Sequence, residues 1–158
     1  MGLDMYLQRK RYVKNWDHNP SEKFFSGIAF QGNKPINLER INSITFDVMD
    51  WRKTNWIHNW FVRMVQGGLD DCKEYFVEIE QLEDLLDTIN QILRVLDSET
   101  LEKAQKVAEE KLPAVQGFFF GSQDYDDWYF DSLRETRYNL KKELSLHPDD
   151  DYYYHASW

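Results

Sequence analysis

The sequence has little of what marks secreted, membrane or disulfide-stabilised proteins. Its single cysteine, Cys72, excludes an intrachain disulfide and fits the reducing cytoplasm. No apolar run approaches the ~20 residues that cross a bilayer. The chain does not open with a basic segment followed by an apolar one, as a secretory signal does. We therefore expect a cytoplasmic protein that does not associate with membranes.

The sequence also lacks the short motifs that carry catalysis and cofactor binding. Glycine-rich phosphate loops, zinc-ligand spacings and the nucleophile elbow of serine hydrolases are all missing. Cys72 and His58 are the residue types of a nucleophile pair, but no family-specific sequence surrounds the thiol, so a buried and inert cysteine is the better interpretation. The acidic run at 149–151 lacks calcium-loop spacing. The run at 124–127 is explained as the carboxylates of a helix start. We expect no metal and no cofactor, and catalysis is disfavoured though left open.

Positive charge is scarce as well, since 19 lysines and arginines face 28 aspartates and glutamates, a net charge of −9. So acidic a chain repels polyanions, which disfavours binding along a nucleic-acid strand. Aromatic residues, in contrast, make up 16% of the chain. Large rings supply apolar area either to a core or to a surface for ligands and partners. A homodimer formed through aromatic surface is one expectation.

The apolar periodicity predicts a single α+β domain over residues 1–158. Alternation of apolar and polar residues predicts strands at 2–9, 44–51, 74–79 and 152–158. Helical spacing predicts four helical segments: one from Thr54 to Gly67-Gly68, one over 82–96, one from Ser98 or Thr100 to Lys111, and one from Ser122 or Asp124 to His147. We expect about four mostly antiparallel strands, with three or four helices packed on one face of the sheet.

Several short segments of the chain are distinctive: Met-Gly-Leu-Asp-Met-Tyr-Leu at 1–7, Trp-Arg-Lys at 51–53, Ile-His-Asn-Trp-Phe-Val at 57–62, Gly-Phe-Phe-Phe-Gly-Ser at 117–122 and Ser-Trp at 157–158. In these segments the chain resembles a family of small, uncharacterised proteins encoded by bacteriophages and prophages. The resemblance covers nearly the whole chain. It implies a bacterial host cell as the setting and an accessory role towards host factors, and it implies no catalytic residues.

The junction between the second predicted strand and the following helix is the best candidate for a ligand site. The N-terminus of a helix carries free N–H groups and a partial positive charge, which suit an anion. Arg52 and Lys53 come just before this helix, and Asn55 lies in its first turn. His58 lies at the border of the apolar face, where it can donate to an anion or act as acid and base. The structural alternative is that the cations pair with nearby carboxylates and that His58 belongs to the core.

Large aromatic rings flank this junction and fill a loop between two glycines. If the loop is extended, successive rings point in opposite directions, so at least one of them is exposed. A planar base stacks well on such rings. The candidate stacking residues are Trp51, Trp56, Phe118, Phe119, Phe120 and Tyr125. The alternative is that these rings fill the core.

Three functions are compatible with these residues. The first is a non-catalytic phage or prophage accessory protein that binds a host protein or a small anion. The second is a pocket protein that sequesters a nucleotide-like defence signal, with its phosphate on Arg52 and Lys53 and its base on the rings. The third is an enzyme that acts on such a nucleotide with His58 as acid and base.

Overall fold

The computed structural model describes residues 2–12, 30–31, 34–35, 41–117 and 120–158. Strands and helices alternate irregularly along the chain, which is the α+β class predicted from the sequence. In chain order the elements are β1 (Asp4–Tyr12), β2 (Phe30–Gln31), β3 (Lys34–Pro35), β4 (Ser43–Arg52), α1 (Asn55–Met64), β5 (Tyr75–Val77), α2 (Ile79–Ser98), α3 (Leu101–Lys111), α4 (Asp127–Leu146) and β6 (Asp151–Ser157).

Four of the described strands form one sheet in the order β4-β1-β6-β5. All of its pairings are antiparallel, as predicted. β1 and β6 pair with each other at the centre, so the first and last strands of the chain are neighbours in the sheet. The strands β2 and β3 pair with each other in a separate ribbon.

One face of the sheet is buried beneath the helices. Met5 of β1 and Tyr154 of β6 are fully buried on this face, and Phe61 of α1 stacks on the Tyr154 ring with centroids 3.8 Å apart. On the opposite face Tyr6 stacks on His155, with ring centroids 4.8 Å apart. The alternation seen in the sequence therefore separates a core face from a more exposed face.

Capping residues set where the helices begin. Thr100 accepts a backbone N–H from the first turn of α3, as one of the two predicted caps. Thr54 occupies the predicted cap position of α1, although its hydroxyl has no hydrogen-bond partner within the described residues. Asp126 caps α4, so this helix begins later than it would with either of the predicted caps, Ser122 and Asp124. Those two residues instead bond to each other in the preceding turn.

The third strand is shorter than predicted, because a capping box interrupts it. The Glu78 N–H donates to the Gln81 side chain at 2.9 Å, and the Glu78 side chain caps the Gln81 backbone in return. This reciprocal pair starts a helix. Residues 78 and 79, predicted as strand, are therefore the cap and the first residue of α2.

Candidate functional site

The two cations of the predicted anion site lie at the exposed junction between β4 and α1. Arg52 ends β4 with a side chain that is 68% exposed, and its Nε lies 3.6 Å from the Asp4 carboxylate. Lys53 follows with a φ of 59°, and its N–H donates to the carbonyl of Leu3 at 2.8 Å. The Lys53 side chain is exposed. An exposed ion pair such as Arg52–Asp4 contributes little stability. The side chains of both cations are accessible to solvent, as their exposure shows.

Asn55, in contrast, is fully buried and binds the protein's own backbone. Its amide nitrogen donates to the carbonyls of Phe120 and Ser122 at 3.2 and 2.7 Å, and its oxygen accepts the Val115 N–H at 2.9 Å. Both amide hydrogens therefore have acceptors, and no donor is left for a ligand. We call residues 113–122 the anchored loop, of which 118 and 119 lie outside the described residues.

Gly121 brings the anchored loop against the turn before α1. Its φ is 99°, in the left-handed region that favours glycine. A Cβ at this position would lie 2.8 Å from the carbonyl oxygen of Lys53, so a larger residue would push the two backbones apart. The loop thus covers the start of α1, with Asn55 beneath it and the side chains of Arg52 and Lys53 exposed. The four predicted anion ligands are divided between core and surface.

His58 is a bridging residue within the core. It is 1% exposed, and its Nδ1 and Nε2 lie 2.8 Å from the Tyr154 hydroxyl and 3.0 Å from the Asp70 carboxylate. Because a carboxylate only accepts, Nε2 carries the proton and donates to Asp70. Burial raises the pKa of Tyr154, so its hydroxyl stays protonated and donates to Nδ1. Both ring nitrogens are engaged, as the structural alternative predicted.

We expect the pKa of His58 to lie below the ordinary value of 6.5, and the protein to lose stability in weak acid. Burial of the ring lowers the pKa of His58 and outweighs the opposing effect of the Asp70 carboxylate. The unfolded chain therefore binds the proton more readily than the folded one. The contribution of His58 to the free energy of unfolding is complete above about pH 6.5 and is lost as pH falls below it. NMR titration of the imidazole measures this pKa directly.

A His58→Gln variant separates this effect from other acid-sensitive groups. Between about pH 7.5 and about pH 5.5 the melting temperature of the unmodified protein should fall more steeply than that of the variant, which has no imidazole to protonate. Equal slopes, or an imidazole titrating at or above 6.5, would contradict the assignment.

Two of the predicted stacking rings belong to the core. Trp51 is 6% exposed and Trp56 is fully buried. The Trp51 indole donates to the Thr136 hydroxyl at 2.9 Å, and the Trp56 indole donates to the Ser132 hydroxyl at 3.2 Å. These contacts join β4 and α1 to α4. Neither ring has a face open to a planar ligand, so the stacking prediction is corrected at both positions.

The rings of the anchored loop have divided outcomes. Phe120 is 6% exposed and packs edge-on against His58 and Trp158, with centroids 5.4 and 6.1 Å away. It serves the core rather than a ligand surface. Phe118 and Phe119 lie outside the described residues, so their predicted stacking role stays a prediction.

Tyr125 is half-buried beside an acidic cavity of about 550 Å³. Its hydroxyl accepts the Ala114 N–H at 3.1 Å. The cavity is lined by four carboxylates and one cation: Glu102, Glu109, Asp124, Asp126 and Lys106. Such a surface repels a phosphate group, so it does not suit the nucleotide-like ligand for which Tyr125 was predicted.

Cys72 is exposed rather than buried, which corrects the prediction of an interior thiol. It does not form a nucleophile pair with His58, whose nitrogens are engaged by Tyr154 and Asp70. Within the part of the chain that the structure describes, no group of three or more histidines, cysteines, aspartates or glutamates is placed to hold a metal ion.

A basic groove lies between α2 and α4, and none of the predicted site residues lines it. Its volume is about 720 Å³, within the ~300–1,000 Å³ of ligand pockets. Helix α2 contributes Leu86 and Asn90. Helix α4 contributes four cations and two hydroxyl-bearing residues: Arg134, Arg137, Tyr138, Lys141, Lys142 and Ser145.

Most of the charge in the basic groove is uncompensated. Arg134 pairs with Asp131 one turn earlier, at 2.6 Å. Arg137, Lys141 and Lys142 form no ion pair with a described carboxylate. Such a concentration of positive charge on an acidic chain is a local attractor for anions.

The spacing of these residues in the sequence contains the signal for the basic groove. Counted from Arg134, its α4 residues fall at i+3, i+4, i+7, i+8 and i+11, which places them on one face of a helix. Leu133 and Leu140 face the core from the same helix. Apolar spacing reveals only that core face, whereas a search for cations at helical spacing would have found the row of cations that lines the groove.

Comparison of the chain with protein-family models, with curated proteins and with solved structures found no match. Over the described residues, no helix combines the length and the apolar character needed to cross a membrane.

Proposed function

We propose that the protein acts by binding an anionic partner, and that this partner occupies the basic groove. The supporting observation is the set of four cations along one face of α4, of which Arg137, Lys141 and Lys142 have no carboxylate partner among the described residues. On a chain of net charge −9, most of the surface repels anions. A local positive groove therefore selects where an anion binds.

The resemblance to bacteriophage and prophage proteins supplies the proposed setting. In that setting the protein is an accessory factor in the bacterial cytoplasm that binds a host protein or a small anionic ligand, without catalysis. A homodimer is a further proposal, compatible with aromatic rings that remain exposed, such as Trp128 and Tyr138.

A nucleotide-like signal is a second candidate ligand, and the position of Tyr138 favours it. This ring is 69% exposed and lines the basic groove together with Arg137 and Lys141. The cations would hold a phosphate while the ring stacks on the base. An enzyme that uses His58 as acid and base has no such support, because that ring is buried with both nitrogens engaged.

Neutralising two groove cations tests the proposal. We expect Arg137→Gln with Lys141→Gln to weaken binding of ATP or of a short oligoglutamate peptide about tenfold, since two partly exposed ionic contacts together contribute roughly 1.4 kcal/mol. Isothermal titration calorimetry at low salt measures the affinities, because screening weakens such contacts.

The matched control is Arg52→Gln with Lys53→Gln, which changes the net charge by the same amount. Its affinities should stay within about twofold of the unmodified protein if the groove is the site. Equal losses of affinity in both double variants would mean that the net charge of the protein, and not the basic groove, determines binding. A loss confined to the control would return the site to the start of α1. Absence of binding for both probes would refute the proposal.

A further inference from the structure

The charged side chains of the basic groove form a row rather than a cluster. From Arg134 to Lys142 the row covers eight residue steps of α4, roughly 12 Å at the rise of an α-helix. Arg134 and Arg137 stand one turn apart, and Lys141 and Lys142 stand on the following turns. A single phosphate reaches only the cations nearest to it. A ligand that uses the whole row must be extended along α4.

Apolar groups accompany this row. Leu86 of α2 lies half-buried in the lining of the groove. Tyr138 is 69% exposed within the groove, and Leu146, one residue past Ser145, is 60% exposed. Exposed apolar area beside a charged row is typical of grooves that receive the mixed face of an amphipathic segment.

Exposed acidic residues lie close in sequence to the residues that line the groove. Asp131 and Glu135 are exposed on α4, and Glu83 and Asp87 are exposed on α2 in the turns around Leu86. A broad polyanion would meet these carboxylates and be repelled by them. A narrow acidic stripe, flanked by neutral or basic residues, would meet the cations alone. The charge pattern thus selects against nucleic-acid strands as well as for acidic partners.

We infer that the occupant of the basic groove is an amphipathic acidic helix of another protein. The inference rests on the proposed function and narrows it from anions in general to one class of partner. The side-chain ridges of one helix pack into the grooves on the surface of another, so a partner helix can dock along the open face of α4 beside α2. A partner helix with Asp or Glu at i, i+3, i+4 and i+7 would align its carboxylates with the cations of α4 and its apolar residues with Leu86 and Tyr138.

A designed peptide tests the inference. The probe is a fluorescein-labelled peptide of about 16 residues, long enough to span the row as a helix, with Glu at i, i+3, i+4 and i+7 and Leu beside them. A scrambled peptide of identical composition and ATP serve as competitors of the same charge class. Fluorescence anisotropy should give at least about fivefold tighter binding for the ordered peptide than for the scrambled one, since only the ordered peptide presents one acidic face.

Charge exchange makes the test specific to the groove. The double variant Arg137→Glu with Lys141→Glu should bind the Glu peptide at least about tenfold more weakly than the unmodified protein does. It should instead bind the corresponding Lys peptide, for which we expect no affinity in the unmodified groove. The matched control, Arg52→Glu with Lys53→Glu, carries the same net charge and should keep its preference for the Glu peptide. Circular dichroism checks that each variant folds before its affinity is used.

The outcomes separate the inference from the function on which it rests. Tight ordered-peptide binding with reciprocal charge exchange supports both. Equal affinity for the ordered and scrambled peptides overturns the helix partner and leaves anion binding in place. The same conclusion follows if ATP binds the groove and neither peptide does. If no probe binds, both fail.

Discussion

Trp56→Ala is expected to lower the free energy of unfolding by about 3–5 kcal/mol, the usual cost of truncating a large buried ring. Trp56 is fully buried, and its ring centroid lies 4.6 Å from that of Tyr129 and 5.0 Å from that of Trp128. Truncation would leave a cavity where α1 packs on α4 and would remove the hydrogen bond to Ser132. Thermal unfolding should show a melting temperature lower by roughly 6–20 °C for a chain of this length.

Trp128→Ala is the matched control, because this ring contacts Trp56 but is 43% exposed. Its truncation opens the surface instead of creating a cavity, and we expect a loss of about 1 kcal/mol. A different result would change the role of Trp56. If Trp56→Ala melts like the unmodified protein but loses affinity for a nucleotide, the ring is a ligand platform, as first predicted, and not a core element.

The sheet was predictable because burial acts on alternate residues. Met5 in β1 and Tyr154 in β6 lie on the same face, and a shift of one residue would expose both. That constraint is visible in any short window of sequence. The end of β5 was harder to predict, because Tyr75, Val77 and Ile79 continue the alternation while Glu78 already caps α2.

The hydrogen-bond partners of Asn55 and His58 were not predictable from the neighbouring residues in the sequence. Asn55 binds the backbone of Phe120, 65 residues further along the chain, and His58 binds Tyr154, 96 residues further. A polar residue near a helix start has the same local pattern whether it faces a ligand or a distant loop. Only the tertiary fold decides which groups satisfy it.

The basic groove shows the opposite case. The spacing of its cations is a local signal in the sequence, but this signal does not predict a binding site until the packing of the helices is known. The spacing of Arg137, Lys141 and Lys142 fixes them on one face of α4 in any helix. Whether that face is open depends on α2, which leaves Leu86 and Asn90 as the other wall. The sequence thus contains the row of charge, while the groove is a property of the fold.

Asn55→Ala is expected to cost about 2–4 kcal/mol and to release the anchored loop before the rest of the chain unfolds. The substitution leaves the carbonyls of Phe120 and Ser122 and the Val115 N–H without their partner. Each buried group left unpaired costs about 1–3 kcal/mol, and less where solvent reaches it, as it does at Ser122. Hydrogen exchange should show faster exchange of the Val115 amide, and denaturant unfolding gives the overall loss.

Asn59→Ala supplies the control for this loop, since Asn59 donates a single hydrogen bond, to the carbonyl of Pro113 at 3.0 Å. We expect it to cost about 1 kcal/mol and to leave the Val115 amide protected. An Asn55→Ala variant with normal stability and a protected loop would show that the loop needs no anchor there. If that variant also lost affinity for ATP while Arg137→Gln with Lys141→Gln kept it, the start of α1 would be the ligand site after all. The Asn55 amide can bind either the loop or a ligand, so loop protection and ATP affinity, measured on the same variant, decide between the two sites.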